Sequence, residues 1–135
     1  MIREATEADI PRLLGFARRF HEAAQQPFGF DEAATDAFIA GLIEQPHSVV
    51  LIGDAGMIGG ALVPAYCQPA WVMAVELAWW AERDGLRLLR AFEEWATDNA
   101  ASEVRMTSLA ALPRADAILR RKGYGAAEIS YRKVI

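Results

Sequence analysis

Cysteine is all but missing from this chain: Cys67 stands alone, so no intramolecular disulfide can form. Nothing in the thiol content points to an oxidising compartment. Histidine is equally scarce. His21, His47 and Cys67 do not fall at metal-ligand spacing, and no metal is expected. Positive charge is in deficit, with 14 Lys and Arg against 18 Asp and Glu and a formal net charge of −4. A nucleic-acid binder needs a basic stripe to displace counterions, so that class is set aside. No apolar run approaches the roughly 20 residues that a membrane-spanning helix requires. The opening MIREATEAD lacks the basic-then-apolar order of a secretion signal. The expectation is a cytoplasmic chain with neither membrane nor nucleic acid as partner.

What the chain does have is apolar periodicity. Its 135 residues, 53% hydrophobic, suit one domain over 1–135 with a real core. Ile2–Glu4 reads as a short strand. Thr6 and Asp9 make a capping box, and Ile10, Leu13, Leu14, Ala17 and Phe20 follow at helical spacing. Gln26-Pro27-Phe28-Gly29-Phe30 breaks that helix. Asp31 caps a second one, which Gln45-Pro46-His47 ends. Ser48–Ile52 and Met57–Ala65 flank Gly53-Asp54-Ala55-Gly56 as a hairpin. Ala70–Trp80 is a third strand, almost continuously apolar, as a strand covered on both faces would be. Gly85–Ala100 places Leu88, Leu89, Phe92, Trp95 and Ala96 on one helical face. Glu103–Thr107 is a strand, a short helix runs from Pro113 to the stop at Gly123, and Ala126–Ile135 alternates as a closing edge strand. This order predicts an α+β fold, a mixed and mostly antiparallel sheet with helices on both faces.

The most informative stretch is Val72–Leu89, VMAVELAWWAERDGLRLL. A strand there runs through a charged, glycine-containing turn straight into a helix. Free backbone N–H groups and the positive end of the helix dipole converge in such a turn, which suits a phosphate. Within the strand, Glu76 is a lone carboxylate between Val75 and Leu77. Burial there would raise its pKa toward neutrality, as a general base needs. The competing reading is a structural glutamate, pointing to the exposed side or paired with an arginine.

The element order, the opening IREATEADIPRLL, the strand–turn–helix at 72–96 and the ending AILRRKGYGAAEISYRKVI together resemble the GCN5-related N-acetyltransferases (GNAT). The resemblance covers essentially the whole chain. It implies a GNAT-like acyl-CoA N-acyltransferase fold in which the strand before the main helix splays from its neighbour to line a slot for acetyl-CoA. It implies acetyl-CoA as co-substrate, without a metal, and a small-molecule or peptide amine as acceptor. In such proteins the turn after the splayed strand carries a Gln/Arg-x-x-Gly-x-Gly/Ala signature. Here Trp80 and Arg83 stand at its first two marked positions, Gly85 at the last, and the loop is several residues short. Many members place a tyrosine in the last helix as general acid, where this chain has Leu119.

On this resemblance Glu76 is the expected base, and Tyr124 or Tyr131 replaces the lost proton donor, with Tyr124 the better placed beside Gly123. Leu77 and Ala78 would meet the pantetheine arm through their backbone. Arg83, Asp84, Gly85, Leu86 and Arg87 would hold the pyrophosphate, by amides and by charge-assisted bonds. Phe28 and Phe30, in the irregular segment after the first helix, would line the acceptor pocket. The alternative is a catalytically degenerate GNAT-like protein that binds acyl-CoA as a regulator or serves as an interaction module. The free edge of the last strand suits a homodimer.

Overall fold

The apolar periodicities resolve onto two faces of one sheet. The computed structural model describes residues 1–135 and orders five strands β1-β2-β3-β4-β5. They are β1 (Arg3–Glu4), β2 (Ser48–Gly53), β3 (Gly56–Ala65), β4 (Gln68–Ala81) and β5 (Glu103–Arg105). The helices are α1 (Ile10–Ala24), α2 (Glu32–Glu44), α3 (Gly85–Asp98) and α4 (Arg114–Arg121). Strands β1 to β4 are mutually antiparallel, while β5 is parallel to β4. A parallel pair needs a crossover connection, and α3 supplies it.

Each face of the sheet carries its own core. On one, Leu13 and Phe16 of α1 and Ile39 of α2 pack on Val50, Ile52 and Met57. On the other, Leu88, Phe92 and Ala96 of α3 pack on Val49, Leu51, Ile58 and Ala74. Successive β2 residues thus point into opposite cores, which is why Ser48–Ile52 reads as a continuous apolar run. The entry to α1 is fixed by Asp9. Its carboxylate accepts from the Thr6 amide at 2.8 Å and takes both Arg3 guanidinium nitrogens, at 2.7 and 2.8 Å. That arrangement holds the Asp9 carboxyl well below the usual range, chiefly through Arg3.

Two differences from the sequence reading matter for the site. The strand expected over Glu103–Thr107 ends at Arg105, because β5 there leaves β4. The strand expected over Ala126–Ile135 does not form. No backbone hydrogen bond joins Gly125–Ile135 to any other segment, and alternation without a ladder partner cannot make a strand.

Candidate active site

β4 and β5 pair only at Met73–Glu103, Ala74–Val104 and Val75–Arg105. Beyond Val75, the stretch Glu76–Ala81 keeps β3 on one side and has no strand on the other. Leu77 and Ala78 both lie on this open edge. At the same place β4 bulges: Gly59 stands opposite Ala78 and Gly60 opposite Glu76, so Leu77 is the extra residue. Leu77 is 44% exposed.

The bulge decides where Glu76 points. Residues directly opposite in an antiparallel pair share a face, so Glu76 faces with Gly60. A Cβ on Gly60 would stand 2.5 Å from the Phe92 ring, which places that face against α3. Glu76 is buried, and its Oε1 accepts one hydrogen bond, from the Thr107 amide at 3.0 Å. Thr107 is two residues past the end of β5, so the bond spans the gap where the strands part. No Lys or Arg forms a salt bridge with Glu76, which removes the ion-pair reading. Burial pushes its pKa up to about 7, with the Thr107 amide pulling the other way. The carboxyl is therefore a proton acceptor poised near neutrality.

The turn into α3 is short: Glu82, Arg83 and Asp84 alone separate β4 from the helix. The amides of Arg83, Asp84, Gly85 and Leu86 donate to nothing in the protein. The Arg87 amide, expected among them, instead donates to the Asp84 carbonyl at 3.0 Å. Its side chain lines a cleft with Met1, Ile2, Arg90, Ala91 and Glu94, on a different flank of α3 from Glu93. The left-handed residue of the turn is Asp84, at φ 62°, and not the glycine beside it. Glu82 is tied to Arg19 of α1 at 2.8 Å. The donor set fits an anionic phosphate, whereas the two carboxylates at the same corner work against one.

Tyr124 is aimed by the end of α4. Gly123 takes φ 88°, and the Tyr124 amide closes back onto the Leu119 carbonyl at 3.1 Å. The phenol then donates to Glu93 Oε1 at 3.1 Å. Burial and the Glu93 charge raise its pKa, so its proton is held more firmly than that of a free phenol. Tyr131 is exposed. Phe28 and Phe30 gather around His21, each with its ring centroid 5.7 Å from the imidazole, and Arg18 covers Phe30 at 4.6 Å. This cluster continues from α1, whose Phe20 meets Trp80 at 6.3 Å. It belongs to the α1 side of the sheet, opposite the face that Glu76 takes.

Sequence reasoning missed Thr107, Glu93 and His21. Thr107 acts through its backbone, which no residue type announces. Glu93 reads as a solvated helix position until α4 brings Tyr124 to it. His21 reads as a solvated helix-end residue until Phe28 and Phe30 fold back over it.

No family model matches the sequence, and no curated protein does. Solved structures match over the whole chain. A mutant form of a Bacillus halodurans protein is similar at TM-score 0.84 and 15% identity, covering 100% of this chain and 99% of that one. An aminoglycoside acetyltransferase from an uncultured soil metagenomic sample, solved in complex with sisomicin, is similar at TM-score 0.74 and 15% identity, covering 100% and 95%. A ribosomal-protein-alanine N-acetyltransferase from Brucella melitensis biovar Abortus is similar at TM-score 0.72 and 12% identity, covering 100% and 99%. The chain has the GNAT fold. The opened β4 edge and the turn into α3 are the parts of the GNAT resemblance that the structure places side by side. At these identities the likeness speaks for the fold, and the chemistry rests on the residues themselves.

Proposed function

We propose that the chain is an N-acetyltransferase that moves an acetyl group from acetyl-CoA to the amine of a small molecule or peptide. The observation that carries this reading is Glu76: a buried carboxyl, without a cationic partner, at the point where β4 and β5 part. The open edge at Leu77 and Ala78 suits the pantetheine arm, which would lie there as an added strand. The free amides of Arg83 to Leu86 suit its pyrophosphate. The acceptor enters through the gap between β4 and β5, on the face that Glu76 takes, and Phe28 and Phe30, on the other face, stand apart from it. Its nitrogen attacks the thioester carbonyl carbon and gives its proton to Glu76. The carbon–sulfur bond breaks, and the thiolate leaves with coenzyme A. Alignment of amine and thioester in the gap supplies much of the rate. Tyr124 is assigned to holding α4 against α3 through Glu93, because its proton is already committed.

The test is thiol release from acetyl-CoA with a panel of primary amines, comparing the native chain with Glu76→Gln. Amine-dependent turnover that falls in the variant supports the reading. Turnover with no amine, or an unaffected variant, ends it. The three-residue turn bearing Glu82 and Asp84 favours a second reading, a GNAT-fold protein that has lost the coenzyme and serves as a regulator or interaction module. Absence of acetyl-CoA binding at millimolar concentration would select it.

A further inference from the structure

Arg87 and Arg90 stand where they work against the fold. They lie three residues apart in the first two turns of α3, and side chains at that spacing are neighbours, so their charges repel. Arg87 is in the first turn, where a cation opposes the positive end of the helix dipole. That turn holds no acidic residue. Neither arginine forms a salt bridge, although Glu94, one turn after Arg90, lines the same cleft. In a chain of net charge −4, two unpaired guanidiniums side by side are a local reversal of sign. Folding does not account for them, and an anion does.

Both side chains line a cleft of about 570 Å³ between α3 and the residues before β1, with Met1, Ile2 and Ala91 as its apolar wall. Ile2 packs against the α3 core, which fixes that wall. Strand β1 is one edge of the sheet and β5 is the other. The cleft therefore lies at the opposite edge from the gap beside Glu76. We propose that it binds a small organic phosphate monoester, the phosphate on Arg87 and Arg90 and the apolar body on Ile2 and Ala91. Two guanidiniums match the double charge of such a phosphate, and their planar forks match its oxygens. The volume suits a small molecule, and the apolar wall favours one with an organic body. Glu94 limits the affinity, because its carboxylate repels any anion that enters. The site does not depend on the acetyl-transfer reading.

The test is calorimetric titration of the full chain with phenyl phosphate at an ionic strength of about 0.15 M, which screens loose surface attraction. The expected result is one ligand per chain with a Kd below about 1 mM. Inorganic phosphate and benzoate should each bind at least about threefold more weakly, the first for want of an apolar body and the second for want of charge. Arg87→Gln and Arg90→Gln should each weaken phenyl phosphate by about fivefold or more. Glu94→Gln should tighten it by about twofold or more. All three side chains are exposed, and circular dichroism checks that the variants fold. Amide NMR shifts on titration should reach Ile2 and Ala91. A weaker Kd, variants without effect, or shifts confined to Asp84–Leu86, which would put the phosphate on the helix N-terminus, each overturns the inference. Acetyl-CoA carries a phosphate monoester of its own, on the 3′ position of its ribose. If Arg87→Gln weakens acetyl-CoA and spares its 3′-dephospho form, the cleft belongs to the coenzyme and the inference of a separate ligand fails.

Discussion

The Glu76 carboxylate and the Thr107 amide meet at 3.0 Å across the point where β4 and β5 separate. One residue of the pair supplies a titrating group, and the other fixes the direction of its lone pairs. Replacing Glu76 by Gln keeps the size and the acceptor oxygen while removing the base. The expected loss in kcat is about a hundredfold or more. Native kcat/KM should rise as pH increases through about 7 and then level off, since the base works only when ionised. Glu76→Gln should lose that inflection, which steady-state kinetics between pH 5.5 and 9 would reveal.

The same carboxyl makes folding depend on pH. Its folded pKa of about 7 lies above the ordinary value of 4.5. The folded chain therefore binds the proton more tightly than the unfolded chain does. The stabilisation is complete below about pH 4.5 and is lost as pH rises through 7, an effect of order 3 kcal/mol. Urea titrations at pH 8 should find Glu76→Gln more stable than the native chain, with the advantage shrinking toward pH 5. A native chain as stable as the variant at pH 8 would contradict this.

At the other end of the scale, Asp9 is an acid held ionised by Arg3. Its contribution is present above the ordinary carboxylate range and is lost as pH falls through its lowered value. Asp9→Ala removes the cap on Thr6 and leaves Arg3 unpaired. It should lower Tm by several degrees at neutral pH. Asp9→Ala should also flatten the acid limb of the stability curve, which thermal melts from pH 2 to 7 would measure.

Gly60 admits no side chain. A Cβ there would meet the Phe92 ring at 2.5 Å and the Val75 carbonyl at 2.6 Å, and backbone cannot move aside cheaply. Gly60→Ala should cost about 3 kcal/mol by overpacking. Chemical denaturation provides the value, and a change below about 0.5 kcal/mol would mean that the strand relaxes freely.

Asp84 sits where the coenzyme pyrophosphate is proposed to bind. Asp84→Asn keeps a residue that tolerates the left-handed conformation and removes the like charge. Calorimetric titration with acetyl-CoA should find binding several-fold tighter in the variant. Unchanged or weaker binding would place the pyrophosphate elsewhere.

Much of the fold is legible in the residues. The apolar stripes of α1 and α3 and the unbroken run of β2 each follow from burial on one or both faces of a sheet. Glu76 is legible too, because a lone carboxylate in an apolar strand has few places to go. What the sequence conceals depends on partners distant in the chain. The bulge at Leu77 lies opposite Gly59 and Gly60, where the distant Phe92 leaves no room for a Cβ on Gly60. The shortening of β5 follows from the divergence of two strands, which no residue within Glu103–Thr107 encodes. The alternation of Ala126–Ile135 suggests a strand that does not form, because alternation alone supplies no ladder partner.

The Phe92 ring fills the space that a side chain at Gly60 would take, and Gly60 in turn faces Glu76. The Glu76 carboxyl and the packing of Phe92 against the sheet are therefore one mechanical unit. A substitution that loosens this core also re-aims the carboxylate, so changes that retune its proton affinity and changes that retune heat resistance draw on the same few atoms.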